Sequence, residues 1–70
     1  MTAGIRIVVN GEAREVPNGL DVTALLSHLA LPVDRLAIER NLEILPRVKW
    51  VSTLVEHGDR YEIVQLVGGG

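Results

Sequence analysis

Only one stretch of this chain carries a helical apolar stripe. Val22, Leu25, Leu26 and Leu29 fall at i, i+3, i+4 and i+7, so all four line one side of a helix. Asp21 stands where a side-chain oxygen can cap the first free N–H groups. The stripe ends near Ala30, because Leu31 precedes Pro32 and the residue before a proline is pushed out of helical space. Most other apolar runs alternate or are β-branched, as strands require. One helix and several strands leave a single two-layer solution, in which the helix lies across one face of one mixed sheet. Seventy residues, 47% of them hydrophobic, are too few for a second core and too apolar for disorder.

The strands follow from the two-residue period. Ile5, Ile7 and Val9 share a face, and Asn10-Gly11 then marks a tight hairpin, since both residue types accept the positive φ of a type I′ turn. The return strand covers Glu12 to Val16 and stops at Pro17 and Asn18-Gly19. Leu36 to Arg40 reads as a strand, Asn41 to Glu43 as a turn, and Ile44-Leu45 as a short strand closed by Pro46. Trp50 and Leu54, four apart, suggest one helical turn within Val48 to Leu54. His57-Gly58-Asp59 is a turn, and Tyr61 to Val67 is the last strand. The predicted fold is therefore α+β: about five strands and one main helix in the ββαββ order of a β-grasp, or ubiquitin-like, domain. It occupies residues 1–67, with 68–70 as a flexible glycine tail.

Composition removes most chemistries. The seven basic and nine acidic residues are scattered along the chain, whereas phosphate recognition needs clustered Lys and Arg, so no nucleic-acid partner is expected. No run approaches the roughly 20 apolar residues of a membrane span, no leader pattern follows Met1, and the expected location is the cytoplasm. Without cysteine there is neither a thiolate metal site nor a resident thiol. His28 and His57 are isolated, and no metal is expected. Ser27 and Ser52 lack a nucleophile elbow, and no glycine-rich loop leads into Lys and Ser or Thr. The Glu12/Glu15 and Glu39/Glu43 pairs read as solvated edges. No catalytic residue is predicted.

The remaining feature is the run Gly68-Gly69-Gly70. At ordinary glycine usage such a run at a chain end arises by chance about three times in ten thousand. A carboxylate preceded by residues without side chains can thread a tunnel that any Cβ would block. Activating it as an acyl-adenylate needs cations and donors that this chain lacks, so a partner enzyme must supply them. Ordering three such residues costs roughly 3–6 kcal/mol, so the folded body must dock as well. Val64 and Leu66, on the outward face of the last strand, are the predicted docking residues, with Val67 beside them.

Taken together, Val9-Asn10-Gly11-Glu12, the Asp21–Leu29 helix, Ile44-Leu45-Pro46-Arg47 with Trp50, Gly58-Asp59, and Glu62 through Gly70 resemble the ThiS family, sulfur carriers of thiamine biosynthesis. The resemblance spans essentially the whole chain. It implies that a ThiF-type enzyme uses MgATP to adenylate the Gly70 carboxylate, the carrier itself binding no cofactor. Sulfur from a cysteine-desulfurase persulfide then gives a thiocarboxylate, which thiazole synthase (ThiG) accepts. Gly68 and Gly69 carry over as the tail entering both partner active sites. Leu42, where many relatives have a small or polar residue, and Leu66, where an aromatic is frequent, depart from the pattern. The same fold and tail also suit a MoaD-like small subunit of molybdopterin synthase, a ubiquitin-like protein modifier, or a non-covalent β-grasp module with an inert tail.

Overall fold

The computed structural model describes residues 4–66. Strands β1 (Gly4–Val9) and β2 (Glu12–Pro17) form a hairpin, α1 (Val22–His28) follows, and β3 (Leu36–Arg40), β4 (Glu43–Ile44) and β5 (Arg60–Gln65) complete a sheet in the order β2-β1-β5-β3-β4. Among the described strands β1 and β5 alone pair in parallel, and the order places β5 at the centre of a mixed sheet. The predicted α+β architecture is the observed one.

Local chemistry explains the element boundaries. Asp21 caps α1 by accepting from the Ala24 N–H at 2.8 Å. The helix stops at His28, shorter than its apolar stripe suggested, because Ala30 takes φ +59 and closes a Schellman turn. There the Leu31 N–H bonds the Leu26 carbonyl and the Ala30 N–H bonds that of Ser27. Asn10 and Gly11, at φ 50 and 82, make the expected two-residue turn. The β3–β4 connection repeats it with Asn41 and Leu42 at φ 52 and 71, which starts β4 one residue earlier than predicted. Pro17 is tolerated inside β2 because that strand is an edge.

The helical turn expected within Val48 to Leu54 is present, but Trp50 and Leu54 do not pair on it. Residues Arg47–Ser52 form a 3-10 helix that buries Trp50, but Leu54 is exposed and Val55 is buried instead. A helix with three residues per turn does not stack positions four apart. After Thr53 the chain extends, and Leu54 bridges to Asp21 while the Val55 N–H bonds the Leu20 carbonyl.

The core lies between α1 and the covered sheet face. Val22, Leu25 and Leu26 of the helix meet Ile7, Val9, Val16, Leu36, Ile38, Tyr61 and Ile63, with Trp50 and Val55 closing one side. Tyr61 and Ile63 of β5 are thus committed to the core, which leaves Glu62 and Val64 on the opposite face, while Gln65 at the strand's end is exposed.

Candidate functional site: the outer sheet face and the end of the last strand

Cross-strand partners share a face, so the register defines the outer surface. Ala37 pairs with Val64, Glu39 with Glu62, and Glu39 with Ile44. Together they line a shallow groove of about 300 Å³. Val64 and Leu66 are 54% and 52% exposed, and Ile44 is 78% exposed, so apolar side chains flank the Glu39–Glu62 pair on this face. Sequence reading singled out Val64 and Leu66 but missed Ile44 and Ala37. Which strand lies beside β5 is a property of strand order, and alternation within one strand does not report it. Val67 and the tail, Gly68, Gly69 and Gly70, lie outside the described residues.

The strand that leads to the tail is held from both sides by asparagines of the two hairpin turns. Asn10 Oδ1 accepts from the Ile63 N–H at 2.8 Å while its Nδ2 donates to the Ile63 carbonyl at 3.1 Å. The side-chain amide continues, past Val9, the ladder that β1 makes with β5. Asn41 acts on the other flank: its Oδ1 accepts from the Arg60 N–H at 2.9 Å and its backbone N–H bonds the Arg60 carbonyl. Both residues were read from sequence as turn formers only.

At the start of β5, Asp59 is buried and accepts from the Glu56 N–H, the Tyr61 hydroxyl, Asn41 Nδ2 and the Arg40 guanidinium. Burial pushes its carboxyl up, but these donors outweigh burial and hold it below the ordinary carboxylate range. Burial and the bond to Asp59 push the Tyr61 hydroxyl well above its usual value. Burial works against the charged form of Arg40, but its bonds to Tyr61 and Asp59 prevail and raise it. This network lies at the opposite end of β5 from Leu66 and fixes the turn that launches the strand.

His28 is exposed in the last turn of α1, and His57 Nδ1 accepts from the Arg6 N–H. Ser52 donates to the Lys49 carbonyl. Among the described residues no group of three or more His, Cys, Asp or Glu side chains is arranged to hold a metal ion. No helix among them is long and apolar enough to cross a membrane.

A five-stranded mixed sheet with one helix across its inner face and the last strand at its centre defines the ubiquitin-like β-grasp class. The model of the ThiS family matches residues 7–70. The chain belongs to the ThiS family, the sulfur carrier proteins of thiamine biosynthesis. It is 30% identical to the sulfur carrier protein ThiS of Escherichia coli (strain K12) over 66 residues, covering 94% of this chain and 100% of the relative. The crystal structure of the thiamine biosynthesis protein ThiS from Geobacter metallireducens superposes with a TM-score of 0.82 at 35% identity, covering 94% of this chain and 100% of that one. The chain is also 41% identical, over 66 residues and 94% of its length, to part of a thiazole synthase from Paramagnetospirillum magneticum. It spans 20% of that protein's length.

Proposed function

We propose that this chain carries sulfur on its terminal acyl group as the co-substrate of partner enzymes and not as an enzyme itself. A ThiF-type adenylyltransferase binds MgATP, the Gly70 carboxylate attacks the α-phosphorus, and pyrophosphate leaves. The outer sulfur of a cysteine-desulfurase persulfide then displaces AMP at the acyl carbon to give an acyl disulfide, and a second partner thiol attacks the donor's sulfur, releasing a thiocarboxylate at Gly70 and leaving a disulfide between the two partner thiols. Thiazole synthase (ThiG) takes that sulfur. Supporting this acceptor, a domain similar to this chain forms a fifth of a thiazole synthase. The cycle is proposed to run in the cytoplasm.

One observation carries the reading: the strand nearest in sequence to Gly68-Gly69-Gly70 is pinned at the centre of the sheet, with exposed apolar residues beside its end. Val64, Leu66 and Val67 are the proposed docking residues, and Ile44 and Ala37 extend their surface. Gly68 and Gly69 enter the partner's active site, where a Cβ would meet the tunnel wall.

The test is intact-mass measurement after incubation with the cognate adenylyltransferase, MgATP and a sulfur donor. The expected product has one oxygen replaced by one sulfur, mapped to Gly70. An unchanged mass beside a demonstrably active partner would overturn the proposal.

A further inference from the structure

Arg47 is exposed and outside the core, yet it connects two parts of the molecule. Its guanidinium sits 5.0 Å from the centroid of the Trp50 ring, and its Nη2 donates to the Val33 carbonyl. Trp50 is a fixed platform, since it is 3% exposed and its Nε1 donates to the Leu45 carbonyl at 2.9 Å. The segment that Arg47 holds, in the loop between α1 and β3, turns through Arg35 at φ +59. That conformation is paired with a single outcome: the Arg35 carbonyl accepts from the Leu66 N–H at 2.6 Å. Leu66 is one residue beyond β5, so this is the last backbone tie described before the glycines.

We propose that Arg47 is a positioning residue for the C-terminal tail. The inference rests on the tail being the loaded group, as proposed above. Trp50 orients the guanidinium, the guanidinium fixes Val33, and the loop from Val33 to Arg35 presents the carbonyl that holds Leu66. Strand ends fray at little cost, because few contacts oppose their opening. Without the tie, the end of β5 opens and Leu66 loses its fixed position relative to the docking face, so fewer encounters at that face are productive. A planar guanidinium suits the task because it stacks on an aromatic ring and still offers donors at its edge.

The test compares the full chain with Arg47→Met, which keeps the aliphatic stem, and Arg47→Lys, which keeps the charge and a donor. In Arg47→Met, amide hydrogen exchange at Leu66 is expected to accelerate roughly tenfold. Val8 and Ile63, whose amides bond Asp59 and Asn10, keep their protection. With the cognate adenylyltransferase, kcat/KM for ATP–pyrophosphate exchange falls roughly five- to tenfold while the melting temperature stays near that of the parent. Arg47→Lys recovers part of both. Unchanged exchange at Leu66, an equal loss of protection at Val8 and Ile63, or an unchanged kcat/KM would each overturn the proposal. A parent chain that supports no pyrophosphate exchange would defeat the loading reading, and exchange at Leu66 would still decide whether Arg47 governs the end of β5.

Discussion

Leu42 occupies a position that its side chain opposes. It is 80% exposed, so it gains little from burial, and it sits at φ 71 in the second place of a two-residue hairpin turn. The equivalent place in the β1–β2 hairpin holds Gly11 at φ 82. A non-glycine residue in left-handed space costs about 1–2 kcal/mol, and the greater freedom glycine gives the unfolded chain cancels about 0.4–1 kcal/mol of the gain on mutation. Leu42→Gly is therefore expected to stabilise the chain by roughly 0.5–1 kcal/mol, read as a higher urea midpoint at unchanged m-value. At this scale the sequence was readable wherever a residue acts on its own neighbours. Asp21 as a cap and Asn10-Gly11 as a turn follow from local chemistry. The second task of Asn10, binding the backbone of Ile63 fifty-three positions away, leaves no local trace.

Among the elements, β5 bears the greatest structural responsibility, being parallel to β1 on one side and antiparallel to β3 on the other. Its existence was legible from alternation, and its central place was not, because a one-dimensional pattern does not state which strands become neighbours. The turn before it depends on Asp59. Every polar partner of that carboxylate is a donor, so an amide nitrogen in its place would face at least one donor without an acceptor. Asp59→Asn should cost about 2–3 kcal/mol at neutral pH. The carboxyl's folded pKa is depressed, so its stabilising effect is fully present above its ordinary value of 3.8 and is lost as pH falls through the lower folded value. Urea unfolding of the two proteins along a pH series should show their difference shrinking only below about pH 4.

For the whole molecule, the two sheet faces serve opposite needs. The inner face is sealed by α1, whereas the outer face leaves apolar side chains in water and sets Glu39 directly across from Glu62. Like charges in that relation destabilise a sheet. Glu39→Gln is expected to raise the stability of the free chain by about 0.5 kcal/mol and, on the proposed docking reading, to lower kcat/KM with the adenylyltransferase. A gain in both would remove Glu39 from the docking surface. A carrier used once per turnover must coexist with many copies of itself, and the sheet's borders bear on that. One border strand, β4, is two residues long, and the other, β2, presents Glu12, Arg14 and Glu15. Neither offers the long, flat, neutral rim on which a second chain could add a strand, so crowding should not drive the protein into fibrils.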